Sequence, residues 1–224
     1  MCMRRSDVYI APSGFFVKAW LPGTIGVVAM TLFLLVTIQV LNGSLDGWNA
    51  AIYARVAARM HPALTRFLMF VSFFGQWFVS LFVAGFLVVI PWTRRQVGVP
   101  VLLATFLGMG FGYILKRVIA IPRPSEVLVL LEASGYGHPS GHTMRTTVFF
   151  GMCVILIWRY TDRASVRIGA LALAVGLSGL MGFSRIYLGA HTATDTVAAY
   201  LAGIAVLAFC ALCLIWKPAI LKRG

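Results

Sequence analysis

No charged residue occurs between Leu21 and Leu41, and roughly 20 apolar residues are what an α-helix needs to cross the hydrocarbon core of a bilayer. Comparable segments follow at Phe67 to Pro91, Val99 to Leu115, Thr146 to Tyr160, Ile168 to Phe183 and Thr196 to Trp216. In lipid, every backbone N–H and C=O must find its partner inside the protein, which makes such segments helices. The expected fold is therefore all-α: a polytopic membrane protein of six transmembrane helices, forming one domain over residues 1–224. Composition agrees, with 60% hydrophobic and 11% charged residues and a mean hydropathy of +0.91. The first segment is too long for a signal peptide and lacks a small-residue cleavage pattern, so it is read as a retained helix. Between the first two spans, Trp48, Ile52, Val56 and Met60 recur every four residues from Gly47 to His61. That spacing describes a short interfacial helix, or equally a packed external loop.

The formal charge of +13 raises nucleic acid as a partner. The basic residues instead sit at the ends of apolar segments, where they anchor helices beside anionic headgroups. Arg4, Arg5, Lys18, Arg94, Arg95, Arg159, Arg163, Arg167, Lys217, Lys222 and Arg223 fall on one side of the membrane. Arg55, Arg59, Arg66, Lys116, Arg117, Arg123, Arg145 and Arg185 fall on the other. Setting aside Lys116, Arg123 and Arg185, which have a chemical reason to be there, leaves a bias that places both termini in the cytoplasm. Cys210 and Cys213 form a C-x-x-C pair inside an apolar segment, with no second pair to complete a zinc site. Gly108 and Gly112, and likewise Gly176, Gly179 and Gly182, are read as faces for close helix packing.

Three patterns stand in order at the expected outer ends of the later helices: Lys116-x6-Arg123-Pro124, Pro139-Ser140-Gly141-His142, and Ser184-Arg185-x5-His191-x3-Asp195. Lys116, Arg123 and Arg185 supply fixed positive charge, and an arginine fork between Pro122 and Pro124 suits phosphate oxygens. Ser140 is a natural N-cap, and Gly141 admits an anion close to the free amides of a helix start. His142 stands at the rim of that position as a candidate proton donor. His191 is a candidate nucleophile, and Asp195 lies one helical turn further on if His191 is already helical. A carboxylate there would fix the imidazole tautomer and leave the other nitrogen free. Arg145, three residues after His142, is a snorkelling anchor or a contact for a second phosphate. His138, just before Pro139, is read as a loop histidine, with the substrate headgroup as its other candidate partner.

These patterns resemble those of the type 2 phosphatidic acid phosphatase superfamily, which also contains the vanadium-dependent haloperoxidases. The resemblance covers Lys116 to Asp195, and the six-helix layout is similar to the membrane branch of that family. It implies that His191 attacks phosphorus to form a phosphohistidine with Asp195 orienting it. His142 then protonates the leaving oxygen and later helps water break the intermediate. Lys116, Arg123, Arg185, Ser140 and the Gly141 amide are implied to hold the equatorial oxygens, with no cofactor and no metal. The implied substrate is a phosphorylated lipid at the outer face of the plasma membrane, with undecaprenyl diphosphate preferred. Phosphatidic acid or phosphatidylglycerol phosphate, lipid A, and phosphate transfer to another lipid are the alternatives within this chemistry. A haloperoxidase is disfavoured by the membrane spans. An anion-binding transporter or scaffold would place charge at the bilayer midplane rather than at one face.

Overall fold

The computed structural model describes residues 15–91, 94–123, 130 and 135–216; Cys2, Arg4, Arg5, Pro124, Lys217, Lys222 and Arg223 lie outside them. Among the described residues every regular element is helical. The helices are α1 (Phe15–Leu41), α2 (Asp46–Ala57), α3 (Pro62–Phe73), α4 (Trp77–Val89), α5 (Val99–Ile119), α6 (Gly141–Tyr160), α7 (Ala164–Tyr187) and α8 (Ala193–Trp216), with a π-helical turn at Arg94–Gly98 leading into α5. Among the described residues, five helical stretches are long and apolar enough to cross a membrane: Ala19–Leu41, Arg94–Ile119, Gly141–Tyr160, Ala164–Tyr187 and Ala193–Ile215.

The segment expected as one span from Phe67 to Pro91 is two helices. α3 and α4 pass the same test only as a pair, bent by 51° at their junction. The cause lies at Gly75. A Cβ there would stand 2.7 Å from both His142 Cδ2 and Met181 Sδ, so the backbone is pressed against α6 and α7 where no side chain fits. The last turn of α3 tightens to three-residue bonds, with Phe74, Gly75 and Gln76 amides donating to the carbonyls of Val71, Ser72 and Phe73. The interfacial segment expected from Gly47 to His61 contains α2, which ends at Ala57 and has no buried residue. His61 belongs to the next helix, its Nδ1 accepting from the Ala63 amide at 3.3 Å as the N-cap of α3.

Four helices run beyond the apolar segments that announce them. α5 continues to Ile119, α6 opens at Gly141, α7 continues to Tyr187 and α8 opens at Ala193. Each added turn is polar and carries a residue of the three patterns. Hydropathy registers which residues lipid tolerates, whereas the helical hydrogen-bond ladder is indifferent to it. Because successive helices alternate in direction, the C-terminal ends of α5 and α7 and the N-terminal ends of α6 and α8 gather at one end of the bundle.

The centre of the bundle is α6. Met144, Val148, Met152 and Leu156 recur every four residues along one fully buried stripe, packing on Val101 and Ala104 of α5 and on Ala198, Ala199, Ala202 and Val206 of α8. Small residues on the partners let the axes approach, which is what drives helix association in lipid. Gly108 and Gly112 behave as expected: a Cβ would meet Val148 Cγ2 at 3.0 Å and Met144 Sδ at 3.1 Å. Gly182 is tighter still, with Tyr200 Oη 2.1 Å from the missing Cβ and that hydroxyl donating to the Ser178 carbonyl at 2.8 Å. Gly176 and Gly179 do not fit the packing expectation, since nothing lies within 4 Å of either Cβ position; they sit on the lipid-facing side of α7. The two classes of glycine should respond with opposite sign. Gly182→Ala should lower stability by about 1–3 kcal/mol through overpacking, whereas Gly179→Ala should be neutral or stabilising by up to about 1 kcal/mol from helix propensity. Thermal unfolding of the detergent-solubilised protein measures both.

Candidate active site

Asp195 organises the site. It is the third residue of α8, and Thr192 is the N-cap before it. The Asp195 amide donates to Thr192 Oγ1 at 3.1 Å while the Thr192 amide donates to Asp195 Oδ2 at 3.0 Å. This reciprocal arrangement is a capping box, with aspartate in the place of the usual glutamate. α2 supports the same helix start from outside: the Thr194 amide donates to Asn49 Oδ1 at 3.1 Å and Asn49 Nδ2 donates to Thr194 Oγ1 at 2.9 Å. His191 therefore precedes the helix instead of occupying its first turn. It meets Asp195 because the capping side chain folds back, not because the two share a helical face. The His191 Nδ1 to Asp195 Oδ2 separation is 3.5 Å, an electrostatic contact slightly too long for a formed hydrogen bond.

On its other side, His191 Nε2 lies 3.4 Å from Arg123 Nη1. Arg123 is delivered by an abrupt turn: α5 ends at Ala120 in the left-handed region at φ 53, and the chain doubles back so that the Gly137 amide donates to the Ile121 carbonyl at 2.8 Å. The guanidinium is then fixed by backbone carbonyls, Nε donating to Gly135 at 3.1 Å and Nη1 to Ala190. Lys116, one turn before the end of α5, donates from Nζ to the Tyr136 carbonyl at 2.7 Å.

Ser140 is the N-cap of α6 by position, but its hydroxyl makes no capping bond to the helix. It accepts instead from Thr143 Oγ1 at 3.0 Å, while the Ser140 amide donates to the Asp195 carbonyl at 3.0 Å. The starts of α6 and α8 are thereby tied to each other, and the first amides of α6 are left for another acceptor. The Cβ position of Gly141 is 3.2 Å from Arg145 Nη1 and 3.7 Å from Lys116 Cε, so both cations flank this helix start. Arg145 is neither a snorkelling anchor nor wholly free for a ligand. Its Nη2 and Nε both donate to the Gly75 carbonyl, at 2.9 and 3.3 Å, and Nη2 lies 3.4 Å from His142 Nδ1. Arg185 is buried and its Nη1 donates to Ser72 Oγ.

Lys116, Arg123, Ser140, Gly141, His142, Arg185, His191 and Asp195 are thus brought to one end of the bundle, with His142 in electrostatic reach of Arg185, Arg145, His191 and Lys116. Three buried side-chain nitrogens there have no hydrogen-bond partner: His142 Nε2, Arg185 Nε and His191 Nδ1. His191 Nδ1 faces Asp195 Oδ2 at 3.5 Å; orphaned polar atoms are uncommon in protein interiors, and the other two, set among cations, are what a site for an oxyanion would leave. An open cavity of about 770 Å³ adjoins Arg123, His191 and Asp195, with Asn49 and Tyr53 of α2 on its far wall. Among the described residues, no three His, Cys, Asp or Glu side chains are placed to share a metal ion. Burial holds the His191 imidazole well below the ordinary histidine range, at about 4; the Asp195 carboxylate pulls the other way, and Lys116 and Arg123 reinforce the lowering.

One residue that the sequence singles out takes a different place, and several further participants are not singled out by it. His138 is not a surface loop histidine: it is fully buried, 3.0 Å from Asp195 Oδ1 through Nδ1 and 3.0 Å from Thr37 Oγ1 through Nε2. Ser72, Gly75, Asn49 and Thr37 also belong to the surroundings of the site. None of these carries a local sequence signal; the spacing Thr192-x-x-Asp195 does, that of the capping box.

A PAP2 superfamily model matches residues 97–218, more than half of the chain. An undecaprenyl-diphosphatase from Sulfolobus acidocaldarius is 26% identical over 184 residues, covering 79% of this chain and 84% of that one. Lipid phosphate phosphatase delta from Arabidopsis thaliana is 33% identical over 107 residues, covering 43% of this chain and 26% of that one. In structure, a PAP2-type phosphatidylglycerolphosphate phosphatase from Bacillus subtilis superposes with a TM-score of 0.74 at 20% identity, over 88% of this chain and 98% of that one. LpxE from Aquifex aeolicus gives 0.58 at 23% identity, over 76% and 95%. The chain belongs to the PAP2 superfamily, and its phosphatase relatives and apolar helices make it a membrane phosphatase, a hydrolase of phosphate esters.

Proposed function

We propose that this protein removes the terminal phosphate of a lipid diphosphate, with undecaprenyl diphosphate as its substrate, through a phosphohistidine on His191. One observation carries the reading: His191 stands between Asp195 at Nδ1 and Arg123 at Nε2, beside the clustered cations Lys116, Arg145 and Arg185. With its proton on Nδ1, the ring has a lone pair on Nε2 facing the place where phosphorus would sit. Attack forms the Nε2–P bond and breaks the bond from phosphorus to the bridging oxygen, which takes a proton from His142. Lys116, Arg123, Arg185, Ser140 and the Gly141 amide hold the equatorial oxygens as charge develops on them. His142, now neutral, takes a proton from water, whose oxygen attacks phosphorus and breaks the N–P bond, releasing inorganic phosphate. No metal enters these steps. The undecaprenyl preference draws support from the Sulfolobus relative, which matches most of both chains.

In the membrane, residues 1–224 act as one domain in which α3 and α4 together make a single broken crossing, giving six, with α2 lying at the interface. Six crossings put both termini on one side. Arg94 and Arg95 before α5, and Arg159, Arg163 and Arg167 around the α6–α7 connection, lie at the end opposite the site. That end is assigned to the cytoplasm by the positive-inside rule, which sets the site at the periplasmic or extracellular face of the plasma membrane.

Four measurements test this function. His191→Ala should abolish phosphate release while leaving the thermal unfolding of the purified protein unchanged; turnover in that variant removes the nucleophile. A panel of undecaprenyl diphosphate, phosphatidic acid and phosphatidylglycerol phosphate, assayed with EDTA, should rank the diphosphate first without loss of rate. In the same panel Arg145→Ala should cost more on the diphosphate than on the monophosphates, because only Nε and Nη2 hold the Gly75 carbonyl and Nη1 is left for a second phosphate; equal losses would confine Arg145 to the first phosphate or to holding Gly75. The pH dependence follows from the lowered His191 value. An imidazolium has no lone pair, so the acid limb of kcat/KM reports protonation of free-enzyme His191. It should fall near pH 4, below the ordinary histidine range. An acid limb at about 6.5, the unperturbed value, would contradict the burial of His191.

A further inference from the structure

The Asp195 carboxylate faces two imidazoles. Oδ2 lies toward His191 at 3.5 Å, and Oδ1 lies 3.0 Å from Nδ1 of the fully buried His138. An ionised carboxylate only accepts, so the shorter contact is a hydrogen bond donated by the His138 Nδ1–H group. The ring nitrogen on the far side, Nε2, is 3.0 Å from Thr37 Oγ1 in α1. That hydroxyl is itself seated 2.8 Å from the Phe33 carbonyl, and the His138 ring stacks on Phe33 with centroids 6.1 Å apart. Both nitrogens of His138 are therefore engaged by protein, and neither is available to a ligand.

Resting on the reading of His191 as nucleophile, we propose that His138 is a positioning residue for its reaction, the middle of a line from Thr37 through His138 and Asp195 to His191. The physical need is specific. The terminal torsion of an aspartate is broad, and the Thr192 amide holds only Oδ2, the same oxygen that must serve His191. Pinning Oδ1 fixes the plane of the carboxylate, so that Oδ2 stays directed at His191 Nδ1. His191 then keeps its proton on Nδ1 and its lone pair on Nε2. When the Nε2–P bond forms, the positive charge arising on the ring faces a carboxylate that does not need to turn. The capping box does not use His138, since its two bonds run between Thr192 and Asp195 alone. Loss of His138 therefore separates the orientation of Asp195 from the start of α8.

Two substitutions distinguish orientation from packing. His138→Phe keeps a ring against Phe33 but removes both nitrogens, whereas His138→Asn places an amide nitrogen near the position of Nδ1. Assayed as the full chain in micelles with undecaprenyl diphosphate, His138→Phe should lower kcat roughly 10- to 100-fold, by analogy with the outer partners of metal-ligating histidines, with KM changed by less than about two-fold. Rapid-quench trapping should show the phosphoenzyme forming more slowly by the same factor. His138→Asn should restore much of the rate. A wild-type kcat in His138→Phe, or equal losses in the Phe and Asn variants, overturns the proposal. If His138→Phe does not fold, Thr37→Val tests the same line from its other end. It removes one hydroxyl at nearly constant volume, and should lower kcat several-fold at unchanged melting temperature; an unchanged kcat overturns the proposal. The His191→Ala control keeps the two readings apart. Phosphoenzyme in His191→Ala removes the nucleophile assignment itself, whereas an inert His191→Ala beside a fully active His138→Phe removes only the positioning role.

Discussion

A carboxylate sealed inside a membrane bundle is costly unless its lone pairs are occupied, and Asp195 occupies them with the elements that most need to be joined. Oδ2 closes the capping box with Thr192, Oδ1 receives His138 from the loop before α6, and the main-chain carbonyl receives the amide of Ser140. The first turn of α8, where the carboxylate sits, is also where a helix favours negative charge. The same few atoms start α8, fasten it to α6 and α1, and face His191. Fold and site are held by one interaction, so the geometry of the candidate nucleophile is as firm as the helix that follows it.

The cations are positioned by a different rule. Lys116, Arg123 and Arg145 donate to main-chain carbonyls, and Arg185 donates to a serine hydroxyl. Neutral acceptors fix the direction of a donor without cancelling its charge, whereas a carboxylate would do both. The pocket thus arrives with its donors aimed, the preorganisation that makes electrostatic stabilisation effective in a water-poor site. A dianionic phosphoryl group would complete it, satisfying nitrogens such as His142 Nε2 and Arg185 Nε that the protein leaves without partners.

Much of this was legible in the chain because phosphate chemistry restricts residue types and helix ends restrict their spacing. Lys116, Arg123, Ser140, His142, Arg185, His191 and Asp195 could be placed at one membrane face by alternation of direction alone. What escaped notice depends on contacts between distant segments. The run from Phe67 to Pro91 is continuously apolar, so nothing in its hydropathy reports that Gly75 must yield to His142 and Met181. A histidine before a proline looks like any loop histidine until Phe33 and Thr37, about a hundred residues earlier, are found beneath it. The His191–Asp195 relation was anticipated at the right separation but through a shared helical face. The threonine between them, which makes Asp195 a capping residue, supplies the actual mechanism.

The region matched by the family model begins at residue 97, yet the site inside it is shaped from before that boundary. α1 supports His138 through Thr37, α2 caps α8 through Asn49, and the end of α3 holds Arg185 through Ser72. The junction of α3 and α4 goes furthest. A continuous helix would keep the Gly75 carbonyl within its own ladder; the break releases it, and an unpaired carbonyl at membrane depth must be satisfied by protein. Arg145 satisfies it with two nitrogens while remaining beside His142 and Gly141. An arginine one turn into a membrane helix and a bend in a neighbouring helix are each unfavourable alone, and each supplies what the other lacks. A sequence could therefore keep all three patterns and still lose the arrangement, if its N-terminal helices no longer presented a free carbonyl at the position of Gly75.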